Sequence, residues 1–148
     1  MPRDQSKAEA LGYELTEVAR GMQLSFRQGQ LCKLPDGRGN NAITFVNGIR
    51  DKINEFNPQM IVCLVPNSNK DIYDSIKKTC CLEYGIPSQV VTSNIININN
   101  MAKTKSVVTK VAIQMNCKLG GEPWGVVIPV SINFIQLKTN YSLISKIK

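Results

Sequence analysis

Three features of the chain predict an α/β fold with a small, mostly parallel sheet flanked by helices. Met60-Ile61-Val62-Cys63-Leu64-Val65 is an unbroken apolar run closed by Pro66. Its length and β-branched content read as a buried parallel strand. Segments with the spacing of amphipathic helices lie on both sides of it. A second short strand, Gln89-Val90-Val91, follows the breaker Gly85-Ile86-Pro87, and helices alternating with buried strands build layered α/β domains.

Taken in order, Ala8, Leu11, Leu15, Val18 and Ala19 give a helix over residues 6–20, with Ser6 and Glu9 as a capping box and Gly21 as its stop. Met22-Gln23-Leu24-Ser25-Phe26 alternates like a short strand, and residues 34–40 are dense in turn formers. Ala42, Phe45, Val46, Ile49 and Ile53 form a second helix that ends before Asn57-Pro58. After the central strand and the polar loop 66–70, a helix is predicted over 71–83. The Asn/Ile-rich stretch 94–100 reads as a low-complexity loop insertion. A long helix over 103–118 follows, with Val107, Val108, Val111, Ala112 and Met115 as its buried stripe and Gly120-Gly121 as its stop. Val126-Val127-Ile128-Pro129 is a further strand candidate.

The chain has 148 residues, one domain's worth, and 43% of them are hydrophobic, which suits a single core. Its net charge of +7 implies an anionic partner. The absence of histidine removes Ser-His-Asp and Cys-His triads and the usual histidine zinc sites. No clustered carboxylates suggest a two-metal nuclease; Asp71 and Asp74 suit a helix start. Five cysteines without a Cys-x-x-Cys pair fit a reducing compartment, with Cys63 and Cys117 reading as small core residues. No stretch reads as a signal peptide or membrane span.

The chemistry concentrates in two helices. Tyr73 and Lys77 are one turn apart, and Ser106, Lys110, Gln114 and Lys118 recur every fourth residue along one face. Singly, each has a bland reading: a half-buried aromatic at a helix edge, a solvated lysine, a surface glutamine. Jointly, with Gln89 on the intervening strand, they supply the phenol, lysines and amides that suit a terminal phosphate of about −1.5 to −2 charges. Asn67-Ser68-Asn69-Lys70 follows the central strand, where α/β sheets gather ligands and helix N–H groups favour anions. This loop offers amides for base edges or phosphates, or forms a plain polar turn. No Gly-x-Gly-x-x-Gly or Walker motif supports a dinucleotide or nucleoside triphosphate.

Gln59-Met60-Ile61-Val62-Cys63-Leu64-Val65-Pro66 resembles the central strand of an Argonaute MID domain. Tyr73-x-x-x-Lys77, followed by Pro87-Ser88-Gln89, is similar to the tyrosine, lysine and glutamine of that family's 5′-end pocket. The segment from Thr109 through Gln114 and Lys118 to Gly121 looks like the Piwi clade, as do Gln114, where Argonaute proper usually has lysine, and the continuation Gly121-Glu122-Pro123-Trp124. The match is close over 59–129 and looser over 6–58. It implies a Rossmann-like MID domain over 1–129, its first strand missing or reduced to Met1–Gln5, and a divergent tail over 130–148.

The resemblance implies a binding module for the 5′-monophosphorylated end of a small single-stranded guide RNA of piRNA type, not an enzyme by itself. In it Tyr73 stacks on the first base and bonds the phosphate; Lys77, Gln89 and Lys118 hold phosphate oxygens. Gln114 helps bind phosphate or an RNA-dependent Mg²⁺; Asn67, Ser68, Asn69 and Lys70 sample the first base. Helix spacing adds Lys110 as a neighbouring backbone contact. The expected setting is a monomer in the cytoplasm, nucleus or germ granules, with silencing-complex proteins as partners and no membrane. The family's PAZ and RNase H-like PIWI domains do not fit in this length. Two other readings remain: a truncated interaction module or decoy that does not bind RNA, and an enzyme on a small phosphorylated substrate, which lacks an evident acid, base or nucleophile.

Overall fold

The chain carries parallel strands β1 (Ile61–Val65) and β2 (Ser88–Thr92) in register from Ile61 opposite Ser88 to Val65 opposite Thr92. The structure is a computed structural model that describes residues 2–24, 29–34 and 41–123. The strand expected at 126–129, the tail 130–148, Ser25-Phe26 and most of the 34–40 loop lie outside the described residues.

Helix α1 (Pro2–Gly21) begins earlier than predicted. Ser6 and Glu9 lie inside it, so they are not its capping box, and residues 2–5 are helical rather than a reduced strand. Pro2 suits a first helical position because the missing N–H would have had no partner there. The left-handed residue after the helix is Gln23, at φ 57°, not Gly21. Leu24 N–H returns to Ala19 C=O at 2.9 Å, so Met22–Leu24 is a helix-ending turn rather than the start of a strand.

Helix α2 (Ala42–Phe56) is bounded by two asparagines. Asn41 caps its start, accepting from Ile43 N–H at 3.1 Å, and Asn57 ends it at φ 44°. Helix α3 (Lys70–Lys77) is followed without a break by a π-helical turn over Lys78–Glu83, where one continuous helix was expected. Arg50 of α2 pins that turn through Nε and Nη2 to Glu83 Oε2, at 3.2 and 2.8 Å. Gly85, at φ 66°, then reverses the chain toward β2.

The 94–100 stretch is a core-anchored connection rather than an insertion. It opens with a 3₁₀ turn (Ser93–Ile95), and Ile96 is 2% exposed in the core. The Thr104 hydroxyl accepts from Asn97 N–H and donates to Asn97 C=O, both at 2.9 Å. Asn100 caps α4 (Met101–Lys118) by accepting from Lys103 N–H. Gly120 terminates that helix at φ 84°, and Gly121 packs so closely that a Cβ would lie 2.2 Å from Asn116 Oδ1.

The elements form three layers. Leu11, Leu15 and Val18 of α1 meet Val108, Val111, Ala112 and Met115 of α4 over one sheet face, joined by Val91 and Ile96. Ile49 and Ile53 of α2 meet Ile72 and Ile76 of α3 over the other, joined by Cys63, Val65 and Cys80. Each fully buried aliphatic side chain of this kind contributes about 1.5–3 kcal/mol relative to exposure. β1 packs into both layers, Leu64 against the α1–α4 side and Cys63 and Val65 against the α2–α3 side, while Val62 is 36% exposed. Cys63 is a core residue as expected, but Cys117 is exposed because it falls outside the α4 stripe.

Candidate functional site

Side-chain alternation along β2 sends neighbouring residues to opposite faces of the sheet. Val91 faces the α1–α4 layer and Val90 packs against the α2–α3 layer. By the same alternation Gln89 projects toward α4 and Ser88 toward α3. The first two residues of β2 therefore connect the helices on either side.

The contacts follow this division. Lys77, in the last turn of α3, donates to Ser88 C=O at 2.6 Å and to Ser88 Oγ at 2.9 Å. Lys118, in the last turn of α4, donates to the same carbonyl at 2.9 Å and to Gln89 Oε1 at 2.6 Å. Gln89 Nε2 donates to Gln114 Oε1 at 3.2 Å. The ammonium is donor-only, so it sets the orientation of the Gln89 amide, which in turn sets that of Gln114. Tyr73, 47% exposed, completes the group: Lys77 Nζ lies 5.7 Å from its ring centroid.

The charge balance of the cluster is one-sided. Among the described residues, no carboxylate pairs with Lys77 or Lys118. Burial, and then the charge of Lys77, lower the pKa of Lys118 below the ordinary lysine value, with Cys81 opposing. Two cations that share one neutral acceptor make this corner of the molecule electropositive, a surface that attracts anions. The geometry also corrects where such an anion would sit. The cluster is at the amino end of β2 and at the carboxyl ends of α3 and α4, not at a helix N-terminus. Helix dipoles there favour the lysines themselves, so side chains rather than orphan N–H groups supply the donors.

The structure thus brings Lys77, Gln89, Gln114 and Lys118 together with Tyr73 beside them. It does not bring in the loop 67–70. That loop follows the carboxyl end of β1, about 12 Å along α3 from Lys77 at 1.5 Å per residue. Asn67 and Ser68 are exposed, and Lys70 is the first residue of α3. The side-chain oxygen of Asn69 caps α3, accepting from Asp71 N–H at 2.9 Å and Ile72 N–H at 3.3 Å. Lys110 is exposed on the same α4 face, two turns before Lys118. Ser88, 1% exposed, is the site residue that sequence reasoning missed. The signal was its position next to Gln89 in a strand, which obliges it to face the opposite helix.

The oxygen donors for a metal are few. Among the described residues no group of three His, Cys, Asp or Glu side chains could hold an ion. Gln114 is exposed and its Oε1 accepts from Gln89 Nε2, so a Mg²⁺ here would take most of its ligands from RNA phosphates and water. No helix among the described residues is long and apolar enough to cross a membrane.

Comparison with known proteins gives the family. The family model described as "Piwi domain" matches residues 60–141, a span that contains every residue of the cluster. The chain belongs to the Piwi family. Among Piwi relatives, it is 36% identical to Protein piwi of Drosophila melanogaster over 129 residues, covering 87% of this chain and 14% of that protein. It is 47% identical to Protein argonaute-3 of the same organism over 85 residues, 57% of this chain and 10% of that one. The crystal structure of Drosophila Piwi superposes with a TM-score of 0.74 at 35% identity, over 86% of this chain and 17% of that one. The described two-stranded parallel sheet flanked by helices is therefore a Piwi substructure, and the chain spans about a tenth to a sixth of the length of these Piwi relatives.

Proposed function

We propose that this chain seats the 5′-monophosphate of a small single-stranded guide RNA, of piRNA type, in RNA-guided silencing. The observation that carries the reading is the convergence of Lys77 and Lys118 on one carbonyl oxygen without a carboxylate partner. A phosphate presents several acceptor oxygens and about −1.5 to −2 charges, which matches two ammonium groups flanked by amides. Gln89 and Gln114 extend the donor set, and Tyr73 offers its exposed ring to the first base and its hydroxyl to the phosphate. α3 runs from the loop 67–70 past Tyr73 to Lys77, so in this reading base and phosphate lie along one helix, with Lys110 available to a following phosphate. Mg²⁺ would partly neutralise the RNA phosphates, and the exposed Gln114 amide is the side chain that would help hold it there, directly or through water.

In this reading the chain binds RNA and does not cut it. The setting is a reducing compartment, cytoplasm, nucleus or germ granule, with silencing-complex proteins as partners of a monomer. The test is direct binding of two RNAs of one sequence, one with a 5′-phosphate and one with a 5′-hydroxyl. The phosphorylated RNA binds more tightly if the reading holds; equal affinities reject it. A complementary target added with guide and Mg²⁺ should stay intact; a guide-positioned cut by the purified chain would reject the non-cleaving part.

A further inference from the structure

We infer that Ser88 is the positioning residue of the phosphate seat: its hydroxyl and carbonyl hold the Lys77 and Lys118 ammonium groups at one point before the ligand arrives. The inference rests on the 5′-phosphate reading above and extends it to a buried residue that makes no contact with the RNA in that reading.

Ser88 is buried at 1% exposure, so its hydroxyl does not face solvent as an RNA contact. Its polar atoms are turned inward to the site lysines. Lys77 reaches both the carbonyl and Oγ, whereas Lys118 reaches only the carbonyl. Since Lys77 donates to Oγ, the hydroxyl hydrogen is directed elsewhere, and Cys81 Sγ lies 3.7 Å away to accept it. Cys81 Sγ in turn donates to Ile86 C=O at 3.7 Å. The lysine end is thus tied through Ser88 to the π-helical turn and to the loop entering β2.

A free lysine side chain carries rotamer entropy that ligand binding must otherwise overcome. Two acceptors on one residue restrain Lys77 in advance, and the shared carbonyl holds Lys118 against the repulsion of its neighbour. Preorganisation of this kind strengthens binding without any contact to the ligand.

The experiment measures binding of 5′-phosphate and 5′-hydroxyl RNAs to wild type, Ser88→Ala, Lys77→Ala and the double variant. Ser88→Ala should lower the preference for the phosphorylated end by about tenfold, the scale of one charge-assisted hydrogen bond. Affinity for the hydroxyl end should change far less. In the Lys77→Ala background, Ser88→Ala should add nothing, because its hydroxyl acts through Lys77. Full additivity of the two substitutions overturns the role, as does an undiminished phosphate preference in Ser88→Ala. If Ser88→Ala fails to fold, Ser88→Thr and Ser88→Val decide, since they add the same bulk and differ in the hydroxyl. Thr should retain the preference and Val lose it; equal behaviour overturns the inference. A wild type without any phosphate preference instead rejects the underlying reading, a result distinct from either of these.

Discussion

Lys77 and Lys118, 41 positions apart in sequence and on helices that flank opposite faces of the sheet, donate to one oxygen atom, the carbonyl of Ser88. The arrangement holds two like charges within two hydrogen-bond lengths of each other. Their mutual repulsion is relieved when an anion enters, so each lysine should interact more strongly with phosphate than an isolated surface lysine does.

Lys77→Ala and Lys118→Ala should therefore each weaken binding of 5′-phosphorylated RNA by about 1.5–3 kcal/mol, the range for hydrogen bonds to charged groups. Binding of the 5′-hydroxyl RNA should change far less. Fluorescence anisotropy with matched RNAs measures both, and equal losses for the two ends would show that the lysines serve only general electrostatic attraction.

Binding should also depend on alkaline pH. Burial and Lys77 lower the pKa of Lys118 in the folded chain. The unfolded chain then binds its proton more readily, so stability from this group is reduced below the lowered pKa and recovers as pH rises through it toward the ordinary lysine value. Phosphate reverses the preference by stabilising the ammonium. Affinity for the phosphorylated end should fall as pH rises through the lowered value, with proton uptake on binding. Lys118→Arg, which stays charged, should flatten this profile. Calorimetry in buffers of different ionisation enthalpy measures the uptake.

Mg²⁺ should strengthen binding of the phosphorylated RNA when titrated at constant ionic strength, because Gln114 supplies hydrogen bonds without charge. Gln114→Lys should reduce the dependence. General screening by salt predicts the opposite sign, weaker binding as ions are added.

Thiol labelling should separate the cysteines by position. Cys81 and Cys117 are exposed and should react readily in the native chain. Cys63, whose pKa is pushed up to about 12 by burial and by Cys80, and buried Cys80, also raised by burial, should react only on unfolding. Mass spectrometry after timed labelling reads this out, and fast labelling of Cys63 would show that the α2–α3 layer opens.

The parts of this fold that were legible in the sequence are those governed by strong periodicity. The four-residue recurrence of Lys110, Gln114 and Lys118 placed them on one exposed face, and the apolar run at 60–65 gave a parallel strand. What escaped reading depends on tertiary contacts. Thr104 and Ile96 turn an asparagine-rich stretch into a core element. Arg50 and Glu83 clamp the segment 78–83, where a π-helical turn replaces α-helix. Nor did composition reveal that the lysines converge at the amino end of β2, since this requires the direction of both helices relative to the sheet.

The alternation at the start of β2 makes the cluster sensitive to the length of the chain there. Ser88 reaches α3 and Gln89 reaches α4 only because of the parity of their positions. Adding one residue between Gln89 and Val90 would exchange the faces of Ser88 and Gln89 while Val90 and Val91 keep theirs. Substitution here alters the seat by degrees, whereas a single-residue length change dismantles it. The length of β2 is thus a frame for the cluster: a variant of this chain with one residue inserted between Gln89 and Val90 should retain helices α3 and α4 yet lose the contacts that join Lys77 and Lys118 to Ser88.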